Sequence, residues 1–122
     1  MNVVVIQGTL SSAPQVRELA SGSVLYSLEV TTPAAGAGER ACSVPVAWFD
    51  PPAEPGFETG TEVVVVGTVR RRFFRGAAGT QSRTEVVASE VLSIGKRSKV
   101  QRALRREAER LGVAADGELR SA

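Results

Sequence analysis

Residues 61–74 read TEVVVVGTVRRRFF, and their parity decides the fold class. Val63, Val65, Gly67 and Val69 fall on one parity, while Arg70, Arg72 and Phe74 continue the other. A two-residue period is that of a β-strand, whose successive side chains point to opposite faces. The strand is long, and Gly67 at its middle marks a place where a barrel strand bends. Val63, Val65 and Val69 share the parity of Arg71 and Phe73, so Arg70, Arg72 and Phe74 are expected to look away from the core.

Four further stretches, 2–10, 23–32, 41–50 and 83–94, are rich in β-branched residues and bounded by Gly, Pro, Ser or Asn, as strands are. In the second, Val24, Tyr26, Leu28 and Val30 alternate with Ser23, Ser27, Glu29 and Thr31. The connections at 11–14, 21–22, 33–38, 51–60 and 76–80 are short and made of turn residues. None carries the long 3.6-residue period of a crossover helix, so an antiparallel all-β barrel of five strands over residues 1–95 is expected. After Gly95 the pattern changes. Ser98 and Gln101 have capping-box spacing, and Val100, Ala103, Leu104, Ala108 and Leu111 recur at helical spacing before Gly112. A short amphipathic helix over 96–112 follows, and the polar residues 113–122 read as a frayed tail.

At 122 residues, with 43% hydrophobic and 23% charged residues, the chain fits one globular domain. No apolar run approaches the length of a spanning helix, and Val3, Val4, Val5 and Ile6 follow no basic segment or cleavage site. A cytoplasmic protein without membrane contact is expected. The only cysteine, Cys42, lies in an apolar run and reads as a buried small hydrophobe, consistent with a reducing compartment. Histidine is absent, which removes the usual acid/base of neutral pH and the commonest metal ligand. The carboxylates form no close pair apart from Glu107 and Glu109, which point to different parts of a helix surface. Residues 76–80, GAAGT, lack the lysine of a phosphate-cradling loop and precede a strand, so they read as a hairpin turn. No enzymatic activity, metal site or cofactor is expected.

The net charge of +2 is unevenly distributed. Residues 1–95 carry seven Arg against nine acidic residues, and the remainder carries eight Lys and Arg against four. A polyanion would therefore have to meet local basic patches. The strongest such patch is Arg70, Arg71, Arg72, Phe73, Phe74 and Arg75. Single-strand binders combine cations that neutralise phosphates with exposed aromatics on which bases stack. The plainer reading is that the arginines solubilise a protruding hairpin while the phenylalanines plug a barrel end. In strand 41–50, Cys42, Val44, Val46 and Trp48 are uniformly apolar and read as core, with Trp48 buried or at a subunit contact. Phe49 has the other parity and is the better stacking candidate, with Pro45 warning of an edge or a bulge that would shift this parity.

These residues, in their order, resemble the bacterial single-stranded DNA-binding protein family. The resemblance runs through Asn2, the apolar run to Ile6, Gly8, Leu10, Pro14, Arg17, Gly22, Tyr26-Ser27-Leu28 and Trp48-Phe49. It continues through Gly60-Thr61-Glu62-Val63, Val66-Gly67-Thr68-Val69-Arg70 and Thr84-Glu85-Val86-Val87, covering roughly residues 1–95. It implies an OB-fold barrel, a homo-oligomer that is usually a tetramer, and binding of single-stranded DNA without sequence reading, in replication, repair or recombination. It places DNA contacts at Arg70, Arg72, Phe74 and Phe49; apart from that carry-over, Arg75 and Arg17 are further candidate nucleic-acid-binding residues.

Departures from the family are equally specific. Ser43 and Pro45 stand where the family commonly has a stacking tryptophan and a basic residue, and the loop 33–40 has no aromatic. Residues 50–60 contain Pro51, Pro52 and Pro55 and leave room for one helical turn at most, where the family inserts a helix. In place of the family's glycine-rich, acidic-tipped tail stands a basic helix, so recruitment of repair enzymes by such a tail is not expected. Arg102 and Arg106 are candidate accessory phosphate contacts, against the plainer view that one helix face packs and the cations are solvated. The main rival is an adaptor of the same fold that binds a protein in a DNA-processing assembly. RNA is a third possible ligand, because a stacking surface does not see the sugar.

Overall fold

A run of four valines buried on both sides organises the structure, a computed structural model that describes residues 1–34, 36–52 and 55–112. The tail expected over 113–122 lies outside the described residues. The elements are β1 (Val4–Leu10), β2 (Gln15–Glu18), β3 (Val24–Thr32), β4 (Cys42–Phe49), β5 (Glu62–Gly76), β6 (Gly79–Ser93) and α1 (Arg97–Leu111). The sheet order is β1-β5-β6-β4-β3-β2, and a further pairing of Thr9 and Leu10 with Thr31 and Val30 joins β1 to β3. That pairing closes a five-stranded ring in which only β4 and β6 run parallel. The chain is thus all-β, an OB-fold barrel with a short C-terminal helix. No helix among the described residues is long and apolar enough to cross a membrane.

Odd and even valines of β5 serve different layers. Val63 and Val65 join Leu10, Leu28, Val30, Val46 and Trp48 in the barrel core. Val64 and Val66 lie outside the barrel, beneath Val100 and Ala103 of α1. Unbroken apolar sequence here means burial on two faces, as for any strand covered on both sides. The helix is therefore packed on the barrel, although its buried stripe differs from the expected one. Val100, Ala103 and Glu107 are buried, whereas Leu104 and Leu111 are 40% and 43% exposed. Its start also differs. Lys96 is the N-cap and no side chain caps the helix, so Ser98 and Gln101 form no capping box, whereas Gly112 closes the helix in the left-handed conformation.

Close backbone approach requires glycine at two points of the ring. A Cβ on Gly67 would land on the carbonyl oxygen of Val87, and one on Gly8 on that of Thr31. Gly67 sits at a bulge: Val66 pairs with Glu90 and Gly67 with Ala88, leaving Ser89 as the extra residue, its hydroxyl donating to the Val66 carbonyl at 3.0 Å. The bulge switches the parity of β6, so that Val91 on one side of it and Ala88 and Val86 on the other all reach the core. Glu85 and Val87 consequently face outward.

Three further expectations need correction. A separate strand, β2, occupies part of the region between the first two expected strands, paired with β3 from Gln15↔Ser27 to Glu18↔Val24. The last strand starts at Gly79, because the hairpin narrows to Gly76↔Gly79 and pairing runs almost to its tip. Cys42 is exposed: it pairs with Thr32 where β3 and β4 run past the end of the core, and apolar composition alone did not reveal that overhang. Pro45 produces no register shift, since β3–β4 pairing is continuous from Leu25↔Phe49 to Thr32↔Cys42. It precedes the segment Val46–Trp48 that pairs with β6, so its missing N–H interrupts no ladder on that side.

Trp48 is 6% exposed, edge-on to Tyr26 and stacked on Phe57 at 6.3 Å between centroids. Iodide should quench its emission poorly, and oligonucleotide should leave the quenching constant unchanged. Efficient quenching that DNA suppresses would place Trp48 at the binding surface instead.

Candidate nucleic-acid interface

The outer face of β5 beyond the helix carries Arg70, Arg72 and Phe74, as the strand's alternation predicts. Register places their neighbours. Glu85 lies opposite Arg70 and Arg83 opposite Arg72, and the parallel β4–β6 ladder brings the end of β4 alongside. Phe49, next to inward Trp48, points to the outer face. The result is a row across the barrel in which the Arg70 guanidinium lies 5.9 Å from the Phe49 ring centroid and the Arg72 guanidinium 5.9 Å from that of Phe74. Glu85 sits between the two arginines, with Arg70 Nη2 donating to its Oε1 at 2.7 Å and Arg72 Nε 3.6 Å from the same oxygen.

This row forms one wall of a groove of about 640 Å³, whose other wall includes Gln15, Arg17, Leu25 and Ser27. Four arginines, 17, 70, 72 and 83, line it against Glu29 and Glu85, leaving local positive charge on an otherwise acidic body. Two anchors hold its edges. The Asn2 side chain donates to the Val69 carbonyl at 2.8 Å and accepts from the Val69 N–H at 2.9 Å, acting as an extra strand residue where the arginine run begins. Asp50, in the left-handed region at φ 48°, accepts at Oδ1 from the Val24 N–H at 2.8 Å while its own N–H donates to the Val24 carbonyl at 2.8 Å. That clamp fixes the residue after Phe49.

Of the residues singled out from sequence, Arg17, Phe49, Arg70 and Arg72 line the groove, and Phe74 extends the row onto the projecting β5–β6 arm. Arg75 does not join them. Its parity puts it on the other face of the arm with Phe73, 65% exposed, and Arg71, whose guanidinium lies 5.4 Å from the Phe73 centroid. The phenylalanines therefore plug no barrel end, because the arm extends beyond the core. Arg102 is exposed on α1, and Arg106 is paired with Glu90 at 3.1 Å, both apart from the groove-lining residues. Sequence reading missed Arg83 and Glu85 as site residues. The available signal was the spacing Val86, Ala88, Val91, which no unbroken strand can turn toward one core.

Among the described residues no group of His, Cys, Asp or Glu is arranged to hold a metal ion. No protein-family model matches the chain, and no curated protein matches it.

Proposed function

We propose that this protein binds single-stranded DNA in the groove between β2 and the β5–β6 arm, as a non-enzymatic component of replication, repair or recombination. The observation that carries the reading is the row Phe49, Arg70, Arg72, Phe74. A half-buried ring, Phe49, and an exposed one, Phe74, interleaved with cations along one groove match what an unpaired strand offers, phosphates on one side and bare base faces on the other. A duplex hides its base faces and gains only the charge term. Assembly into a homo-oligomer, a tetramer by the sequence resemblance, and a cytoplasmic, nucleoid-associated location belong to the same proposal.

Fluorescence anisotropy of labelled oligo-dT at two salt concentrations, with duplex and RNA competitors, tests it. The expected result is binding that weakens with salt and is displaced by single-stranded competitors far better than by duplex. Absence of binding at micromolar protein and low salt would reject it. The second reading, a protein-binding adaptor, draws on the exposed Val69 and Phe73 on the far face of the arm. Stable capture of a protein partner that survives loss of the groove arginines would favour it.

A further inference from the structure

A carboxylate is out of place on a surface meant only for phosphates, yet Glu85 is 6% exposed at the centre of the row. Arg70 and Arg72 both approach its Oε1, and Glu85 is among the residues lining the groove. The Arg70–Glu85 pair therefore presents a guanidinium donor beside carboxylate acceptors. It is bracketed by Phe49, half-buried beneath the Arg70 guanidinium, and by Phe74, 42% exposed beside Arg72 and open to a stacked base.

Resting on the single-strand reading above, we infer that this pair forms a guanine-preferring subsite within an otherwise sequence-tolerant groove. The pairing edge of guanine carries, in order, the O6 acceptor, the N1–H donor and the N2 amino donor. A donor followed by two acceptors is its complement, and an arginine beside a carboxylate supplies that pattern. The other bases fit worse. Adenine and cytosine each set a ring-nitrogen acceptor beside their amino donor, facing the carboxylate. Thymine flanks its one donor with two carbonyls.

The test uses the full chain and labelled oligo-dT carrying one internal guanine, adenine, cytosine or inosine, the last being guanine without its amino group. A single guanine also prevents four-stranded guanine assemblies. The guanine oligonucleotide is expected to bind about tenfold tighter than oligo-dT, at the lower end of what a bidentate base contact supplies, with inosine losing part of that gain. Glu85→Gln should abolish the difference, read as the ratio of guanine-oligonucleotide to oligo-dT affinity within that variant, so that any change common to all oligonucleotides cancels. Equal binding of all oligonucleotides by the unmodified protein overturns the subsite and leaves the single-strand reading standing. A guanine preference that survives in Glu85→Gln, or a change in that variant equal for every base, assigns Glu85 a positioning role only and overturns it too. Failure of every oligonucleotide to bind rejects both. The inosine comparison needs no variant, so misfolding of Glu85→Gln cannot rescue the idea.

Discussion

Replacing Arg72 and Phe74 together with alanine should weaken oligo-dT binding by about 30- to 1,000-fold. Phe74 is 42% exposed, and under the proposed function it would support a stacked base worth about 1–3 kcal/mol while Arg72 would supply a phosphate contact. Losing that contact should lower the slope of log affinity against log salt by about 0.7. Arg72 also lies near Glu85, so its removal leaves the carboxylate with one cation and strengthens repulsion of the strand. Both side chains are exposed on the arm, and the melting temperature should move little. The matched control is the double substitution of Arg71 and Phe73, the same two residue types in the same stacked arrangement on the opposite face. That variant should bind within about threefold of the parent, well under the roughly 1.4 kcal/mol of a tenfold change. Equal losses from the two pairs would show that the strand wraps the arm and would sink a one-faced groove. No loss from either would remove the arm from the interface.

Much of this arrangement is legible in the parity of the sequence. Parity sends Trp48 inward and Phe49 outward, and it puts Arg70, Arg72 and Phe74 together, because pairing on β4 and β5 keeps strict alternation over those residues. It fails where alternation is interrupted or where a strand outruns the core. Glu85 faces the groove only because Ser89 is an extra residue in β6, and a bulge is a property of two strands that neither sequence declares alone. Cys42, Val69 and Phe73 are apolar and share the parity of core residues, yet they are exposed because the elements bearing them extend past the barrel. The register of a long hairpin, more than its composition, decides where burial stops. The helix shows the same limit. Its apolar spacing is legible, but the face that docks is not: Val100 and Ala103 are buried against Val64 and Val66, while Leu104 stays 40% exposed.

Because the bulge turns Glu85 outward, the second large effect is expected at Gly67. Its place allows no Cβ: the added carbon would overlap the Val87 carbonyl oxygen and crowd Ala88 Cα at 2.9 Å. These are backbone atoms held in the β5–β6 ladder, so relief requires the strands to separate rather than a side chain to rotate. Overpacking of this kind costs about 1–3 kcal/mol when neighbours can yield and more when they cannot. Gly67→Ala should therefore lose about 3 kcal/mol, lowering the melting temperature by about 12–20 °C for a domain of this size. The larger, branched Gly67→Val should leave little folded protein, since total stability is only about 5–15 kcal/mol. Gly36→Ala is the control, as its Cβ would meet nothing within 4 Å and its backbone needs no positive φ. It should melt within about 1 kcal/mol of the parent, or slightly higher because alanine restricts the unfolded chain. Thermal unfolding followed by circular dichroism separates these cases. If Gly67→Ala melted with the parent, the strands would not approach as closely as the bulge demands. The outward placement of Glu85, and with it the arginine row, would then lose its structural basis. If it were destabilised yet still folded at low temperature, its oligo-dT affinity measured there would report whether the bulge positions the row as well as closing the barrel.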